Sequence, residues 1–356
     1  MNKKIIWGVV VIVILVGIVW IATNKTSGDK QIVKIGIVAP LTGGASIYGV
    51  NLAKGAELAL ADLKDTKNTY RLVIEDDGTN PANAASAAQK LINIDKVQAI
   101  ISVTSGTGNA VKPLAASASI PHICICNDTH VADSKFNFTN VVLPPDEAAL
   151  WLDEAAKQGI KKVAFIGQNQ PGINILLENI KKLAPEKGIE LVYEDTIEPT
   201  VKDFSTNIAK ARATKPDQIL VVFFPPQIDI IGQQLKNLKV TNFSGMATFA
   251  LSATPELFND KWYTDAKEAD PAFSARFAQT FPGVRFNGRV APYAYDSFNM
   301  LVNGLEKGNA PQYLIDLTTY NGKVGMITKE KGAGVFKSAL SIWTIKDGKP
   351  VQQTVK

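Results

Sequence analysis

Cysteine and histidine are scarce in this chain, which has two of each among 356 residues. So few potential ligands argue against a metal centre, a disulfide scaffold and a histidine-based catalytic set. The two cysteines, Cys124 and Cys126, lie two positions apart in an apolar run that predicts a strand, so their side chains point to the same face. Because a disulfide between such close neighbours is strained, we expect two buried core residues and no disulfide.

The sequence also lacks the motifs with which common enzymes bind phosphates or activate a nucleophile. Gly106 and Gly108 begin a G-x-G-x-x-G pattern, but its last position is Val111, and neither a P-loop nor a G-x-S-x-G elbow is present. Asp76 and Asp77 follow a predicted strand, where they would either bind a metal or act as a base, or form a solvated strand end. We therefore expect no enzymatic activity, no cofactor and no metal.

Strong net charge is absent as well, since the formal charge is +5 and two of those charges are Lys3 and Lys4. The remaining charges are dispersed, which argues against a nucleic-acid partner. The lysines precede an uncharged run from Ile5 to Ala22, and these eighteen residues would extend about 27 Å as a helix, enough to cross a bilayer. A cleaved signal peptide is the alternative, but the run is long for one and lacks an A-x-A site. We predict a membrane anchor over 1–23 and a polar linker over 24–31, with the folded domain held outside the cytoplasm at the cell membrane.

What the folded part does contain is a regular alternation of strand and helix patterns, which runs twice. The first series begins with an apolar strand at Lys34 to Ala39 and stops at Pro144-Pro145. A second series then starts at Lys162 to Gly167 (KVAFIG), which repeats the pattern of the first strand (KIGIVA). The fold class predicted is α/β, with two Rossmann-like, doubly wound lobes and a ligand cleft between them.

The stretch from Ala99 to Pro121 is the most informative part of the first series. Ala99 to Val103 has the length and β-branched content of a strand buried on both faces, and Pro113 to Ala118 reads as a helix. We expect Ser105 to Gly108 to be the turn between them, at the carboxyl edge of the sheet. Hydroxyls and free N–H groups at a helix N-terminus suit a carboxylate ligand, although small residues also serve an ordinary tight turn.

Four segments resemble the type I solute-binding proteins of ABC importers, and most of all the branched-chain amino acid (Leu/Ile/Val) binding proteins. They are Lys34 to Gly49 (KIGIVAPLTGGASIYG), Leu72 to Asp77 followed by Asn80-Pro81, the Ser105 loop, and Lys202 to Ser205 (KDFS). The resemblance implies two lobes joined by three crossovers. It predicts one lobe from residues 32–145 and 266–334, and the other from 146–265 and 335–356.

The resemblance also implies ligand-binding residues in the first lobe. Tyr48 is expected to shield an apolar part of the ligand, and the Ser105 hydroxyl to bind a carboxylate beside the N–H groups of Gly106 and Thr107. Cys126 would offer a carbonyl after the fourth strand. The accompanying hydroxyl position falls on Asp128 or Thr129, and Asp128 would either pair with a ligand ammonium or merely cap a turn.

In the second lobe the sequence departs from the family pattern. Gln170 stands where amino acid binders place a tyrosine, Phe224 lies in a run that replaces another aromatic position, and Thr248 lies where an acidic residue should hold the ligand's ammonium. The resemblance therefore implies capture of a small solute, an amino acid or a related amide or carboxylate, and its delivery to an ABC permease. The alternative is a ligand-sensing domain for a signalling partner.

Overall fold

The computed structural model describes residues 30–353. The predicted anchor over 1–23 and most of the linker over 24–31 lie outside the described residues. Within residues 30–353, no helix is both long enough and apolar enough to span a membrane. Two large sheets organise this part of the chain.

The first sheet has six parallel strands in the spatial order β13-β5-β4-β3-β1-β2. Its strands are β1 (Ile32–Ala39), β2 (Thr69–Asp76), β3 (Ala99–Val103), β4 (His122–Ile125), β5 (Asn137–Asn140) and β13 (Val335–Phe336). The helices that accompany it are α1 (Ser46–Ala61), α2 (Pro81–Lys90), α3 (Ser105–Ala118), α8 (Pro271–Thr280), α9 (Ala291–Glu306) and α10 (Ala310–Asp316). A separate hairpin, β11 (Thr319–Gly322) and β12 (Gly325–Thr328), follows α10.

The second sheet has seven strands in the order β15-β14-β10-β9-β8-β6-β7, and only β14 and β15 run antiparallel to their neighbours. Its strands are β6 (Lys162–Gln168), β7 (Glu190–Ile197), β8 (Gln218–Val222), β9 (Phe243–Met246), β10 (Trp262–Ala266), β14 (Leu340–Lys346) and β15 (Lys349–Gln352). The helices of this part are α4 (Pro144–Lys157), α5 (Pro171–Leu183), α6 (Ser205–Ala213) and α7 (Gln227–Asn237). Short 3₁₀ turns at Thr248–Leu251 and Pro255–Phe258 lie between β9 and β10.

The chain passes between the two sheets three times: between β5 and α4, between β10 and α8, and between β13 and β14. Each sheet has its own apolar layers. Ile37, Ile101 and Ile123 belong to the core of the first sheet, and Phe165 and Leu220 to that of the second. Burial of such side chains is the main stabilising contribution in each half. Since the connections are few, the space between the two halves is where relative movement is easiest.

Several local predictions are corrected by the structure. Ser105 to Gly108 are the first turn of α3 and not a separate turn, because Thr104 takes a φ of 73° and its side chain caps the helix. The apolar run Val141 to Leu143 predicts a strand from its sequence, but the strand lies just before it, at Asn137–Asn140. This strand is polar in sequence yet fully buried, with Asn137 and Asn140 hydrogen-bonded through their side chains, so apolar patterning misses it.

The prediction that the cysteines form no disulfide is wrong, because Cys124 and Cys126 are joined by one. Two residues of extended strand span about 6.6 Å, whereas these two Cα atoms are 5.4 Å apart. The difference arises because β4 ends at Ile125 and the chain bends at Cys126. Both cysteines are buried, as expected.

Candidate ligand-binding cleft

Four predicted site residues follow the strands at which the strand order of each sheet reverses. In the first sheet β1 pairs with both β2 and β3, and in the second β6 pairs with both β7 and β8. Tyr48 follows β1, Ser105 follows β3, Gln170 follows β6 and Phe224 follows β8. Ligands of open parallel sheets bind in the crevice at such switch points, outside the carboxyl ends of the strands. The two switch points therefore define the two walls of one candidate cleft.

The two walls meet through an aromatic contact. Tyr48 is half-buried in the first turn of α1, and its ring lies 5.8 Å from the ring of Phe224, edge to face. Burial raises the pKa of the Tyr48 phenol, which is therefore a neutral hydroxyl at physiological pH. Beneath the tyrosine, Gly49 allows close approach to the preceding loop, since a Cβ there would lie 2.0 Å from the carbonyl oxygen of Pro40. Tyr48 and Phe224 can thus cover an apolar ligand part from opposite lobes.

The loop that carries Tyr48 is held by the acidic pair after β2. The Asp76 carboxylate accepts hydrogen bonds from the Leu41 N–H at 2.8 Å and from the Thr42 hydroxyl at 2.6 Å. Asp77 is fully buried and accepts from the Thr107 hydroxyl at 2.5 Å. The pair is therefore more than a solvated strand end, because it joins the loop after β1 to the start of α3.

We expect Asp76→Ala to lower the free energy of unfolding by about 1 to 2 kcal/mol, because three donors of the loop after β1 lose their acceptor. Urea unfolding of the full-length protein measures the change. Asp203 is the matched control, since this exposed acidic residue accepts, among residues 30–353, only from its near neighbour Ser205. An Asp76→Ala effect no larger than that of Asp203→Ala would contradict the proposed role of Asp76.

Around the start of α3, the structure separates the predicted residues into two groups. Ser105 and Gly106 are partly exposed, and the N–H groups at a helix start have no acceptor within the helix. Thr107 is buried: its hydroxyl donates to Asp77, and its N–H donates to the Thr104 hydroxyl at 3.4 Å. The Thr107 N–H is thus engaged in the helix cap, which leaves Ser105 and Gly106 as the groups available to a ligand.

After β4, the Asp128 side chain forms its hydrogen bonds within its own lobe. Asp128 accepts from the Asn109 amide at 2.8 Å and from the His130 N–H at 2.9 Å, and it precedes the short turn Thr129–Val131. Burial alone raises its pKa, but these hydrogen bonds outweigh burial and lower the pKa of Asp128 below its ordinary value. The sequence left two roles open for Asp128, pairing with a ligand ammonium or capping a turn. This geometry favours capping. Thr129 is exposed, whereas Cys126 is buried beside it.

The second wall is shaped by strand-end residues. Gln168, buried at the end of β6, accepts the Phe224 N–H at 2.8 Å and so fixes the loop after β8. Gln170 precedes α5 and is partly exposed, without a side-chain cap. Thr248 is 3% exposed, and its hydroxyl has no hydrogen-bond partner among the described residues. The lack of a partner for a buried hydroxyl makes Thr248 a candidate ligand contact.

A buried charge cluster lies near the cleft, and sequence reasoning missed it. Arg289, just before α9, donates to Glu147 of α4 at 2.5 Å and to Asp265 at the end of β10. Its side chain is 14% exposed, and the cluster joins the first two crossovers. Tyr48 lies within electrostatic range of both Arg289 and Asp265. No sequence signal links these three residues, because they are far apart in the chain and belong to no common motif.

A second link crosses between the halves next to this cluster. Arg285 donates to the carbonyl oxygens of Ala250 and Leu251, at 2.6 and 2.8 Å, at the end of the turn that begins with Thr248. Asn51 of α1 holds the same loop by donating to the Arg285 carbonyl at 2.9 Å. The helix that carries Tyr48 is therefore connected through Arg285 to the turn that carries Thr248.

Two doubly wound lobes, with strand-end loops facing each other across a cleft, define a protein that captures a ligand between lobes. The family profile described as periplasmic binding protein matches residues 32–316, and the chain belongs to this family. Its members are solute-binding proteins of ABC-type transporters, and they bind substrates without converting them. The resemblance stated from the sequence is thereby confirmed.

Relatives and solved structures agree with this assignment. The Leu/Ile/Val-binding protein BraC3 of Rhizobium johnstonii is 24% identical over 350 residues, which cover 90% of this chain and 93% of the relative. A Thermotoga maritima leucine binding protein, LivK, has a TM-score of 0.80 at 21% identity and covers 90% of this chain and 98% of its own. A Rhodopseudomonas palustris solute binding protein in complex with 3,4-dihydroxybenzoic acid has a TM-score of 0.80 at 21% identity, with coverages of 91% and 96%. At these identities the structural similarities establish the fold alone.

Proposed function

We propose that this protein captures an amino acid, or a related amide or carboxylate, between its lobes and delivers it to an ABC permease. The observation that carries the proposal is the contact between the rings of Tyr48 and Phe224, which follow switch-point strands of the two different sheets. The names of the relatives, which include branched-chain amino acid binders, support the amino acid class. The uncharged N-terminal run supports attachment to the membrane with the folded domain outside.

We also propose the division of the chain that accompanies this function. One lobe comprises residues 32–145 with 266–334, and the other 146–265 with 335–356. The pairing of β13 with β5 supports assigning residues 335–336 to the first lobe instead, so that the second lobe resumes at residue 337. The cluster of Arg289, Glu147 and Asp265 then lies where the lobes are hinged.

A thermal-shift panel on the full-length protein in mild detergent tests the proposal. The panel contains leucine, isoleucine, valine, their amides, 4-hydroxybenzoate and 3,4-dihydroxybenzoate, with nucleobases and sugars as controls. A ligand at 100 times its dissociation constant stabilises the folded state by about 2.7 kcal/mol. We expect stabilisation by an amino acid, an amide or a carboxylate. Stabilisation by sugars or nucleobases alone would contradict the proposed ligand class.

We expect Ser105→Ala to weaken binding of the stabilising ligand by about 1 to 3 kcal/mol, because its hydroxyl belongs to the partly exposed first turn of α3, which follows a switch-point strand. Isothermal titration measures the affinity. Ser117→Ala is the matched control, since Ser117 is exposed near the other end of the same helix. Equal affinities for the wild type and Ser105→Ala would remove this turn from the site.

A further inference from the structure

Two large apolar side chains are exposed at the amino edge of the first sheet. Ile32, the first residue of β1, is 45% exposed, and Ile94 is 72% exposed, more than any other large apolar side chain among residues 30–353. Ile94 belongs to a π-helical turn, Leu91–Asp95, that lies between α2 and β3. Exposure of such side chains to water is unfavourable unless another apolar surface covers them.

The two isoleucines belong to the same end of one face of the sheet. Ile32 shares its face with Lys34, because alternate residues of a strand point to the same side. The segment before β3 contacts this lysine twice: the Lys34 ammonium donates to the Asp95 carbonyl oxygen at 2.8 Å, and the Lys34 N–H donates to the Gln98 side chain at 2.6 Å. Ile94 immediately precedes Asp95, so these contacts bring it to the end of β1 at which Ile32 lies.

Three exposed basic side chains flank the isoleucines. One lies two residues before the first isoleucine, one lies two residues after the second, and one lies on β2 in register with Lys34. Together these residues form the amino-edge patch: Ile32, Ile94, Lys30, Arg71 and Lys96. Asp95 is the acid within this stretch, and one of its carboxylate oxygens is buried. The patch therefore combines apolar side chains with net positive charge, which matches the interface of an anionic membrane.

The polypeptide enters the described part of the chain at this patch, since Lys30 is the first described residue. The predicted anchor ends at residue 23, and the eight residues of the linker, 24–31, extend by about 28 Å at most. We propose that the amino-edge patch docks on the membrane surface, with its two isoleucines in the interface and its three basic side chains against anionic lipid headgroups. The inference rests on the proposed attachment of the N-terminal run to a membrane.

Docking at this edge leaves the cleft accessible to solutes. The strands of the first sheet are parallel, so the candidate cleft at their carboxyl ends lies at the edge opposite the patch. β1 has eight residues and separates the two edges by about 23 Å. The first lobe is then held against the membrane, while the second lobe remains free to close over a solute.

Quenching of a dye by lipid tests the inference. The full-length Asn93→Cys variant is labelled with an environment-sensitive dye beside Ile94, and the new thiol is the one that reacts because the two native cysteines form a disulfide. The protein is placed in nanodiscs of phosphatidylcholine and phosphatidylglycerol that contain a doxyl-labelled lipid. We expect the lipid to quench the dye, and to quench it less in nanodiscs of phosphatidylcholine alone. Ile94→Ser and Arg71→Glu, each added to the labelled protein, should lower the ratio of docked to free protein by about tenfold.

The matched control is the same dye on the Asn237→Cys variant. Asn237 ends α7 beside Leu238, an apolar side chain that is 37% exposed at the amino edge of the second sheet. We expect no lipid quenching at this position. Circular dichroism confirms that each variant is folded.

The possible failures are distinguishable. Equal quenching at positions 93 and 237, or none at position 93 in a protein that co-purifies with the nanodiscs, overturns docking and leaves the proposed membrane attachment intact. If the dye at position 93 is protected in detergent and the protection grows with protein concentration, a second copy of the chain covers the patch and lipid docking is overturned. A protein that does not co-purify with nanodiscs contradicts the attachment, and docking fails with it. The thermal-shift panel tests solute capture separately.

Discussion

Removal of the Arg289 side chain is expected to destabilise the protein by about 3 to 5 kcal/mol, because Arg289→Ala leaves two buried carboxylates without a counter-ion. Glu147 is 4% exposed and Asp265 14% exposed in their side chains, so water replaces the lost partner only in part. Urea unfolding of the full-length protein at pH 7.5 measures the loss. The surface pair of Arg276 and Asp62 is the control, since Arg276→Ala is expected to cost about 1 kcal/mol or less.

The pH dependence of the Arg289→Ala variant gives a second test. Burial raises the pKa of both Glu147 and Asp265, and removal of the guanidinium raises each pKa further. A carboxyl whose folded-state pKa is raised holds its proton more tightly when folded, so stability is lost as the pH rises. The difference in the free energy of unfolding between the wild type and Arg289→Ala should therefore become smaller toward pH 4. A gap that does not depend on pH would contradict this account of the cluster.

The triple variant R289M/E147Q/D265N separates charge from packing. It removes all three charges while keeping side chains of similar size, and it should recover most of the stability that Arg289→Ala loses. If the triple variant is as unstable as the single variant, the uncompensated carboxylates are not the cause of the loss. In that case the lost ion pairs and hydrogen bonds of the cluster itself account for it.

The fold was predictable because its elements carry strong local patterns. Ala99 to Val103 reads as a strand buried on both faces from its apolar run, and Asn80-Pro81 marks a helix start that the structure shows as α2, with Asn80 accepting the Ala82 N–H. Local sequence patterns did not predict the secondary structure correctly where contacts between distant residues determine it. The polar strand β5 is stabilised by side-chain hydrogen bonds. The run Lys323 to Thr328 predicts one strand from its sequence, but it contains only β12 and the turn of the hairpin that β12 forms with β11.

Of the candidate site, only the residues that follow the ends of strands could be predicted from the sequence. Tyr48, Ser105 and Phe224 follow switch-point strands, so their order along the chain and the sheet topology place them at one cleft. Arg289 and Asp265 were missed because their roles depend on side chains that meet over separations of 142 and 24 residues. Such pairs leave no periodic or motif-like trace in a single sequence.

A loss of stability in mild acid is expected from His122, a fully buried histidine between β3 and β5. Burial lowers the pKa of His122 to about 4. Its Nε2 lies 2.7 Å from the Ser102 hydroxyl and its Nδ1 lies 2.8 Å from Asn137 Oδ1. Because the amide group of Asn137 donates to Asp133 at 2.6 Å, Asn137 Oδ1 is the acceptor and the imidazole donates from Nδ1. The neutral imidazole thus satisfies both neighbours.

The sign of the effect follows from the depressed pKa. Between about pH 6.5 and pH 4 the unfolded chain binds a proton at His122 that the folded protein does not bind, so stability falls as the pH falls through this window. The full loss is about 3 kcal/mol. Urea unfolding at pH 7.5 and pH 4.5 measures the effect. We expect the free energy of unfolding to fall by about 2 to 3 kcal/mol less in His122→Gln than in the wild type between these pH values. His130→Gln is the matched control, since the His130 side chain is 87% exposed. If the two variants change the acid loss equally, or if His122→Gln leaves it unchanged, the buried neutral imidazole is not its source.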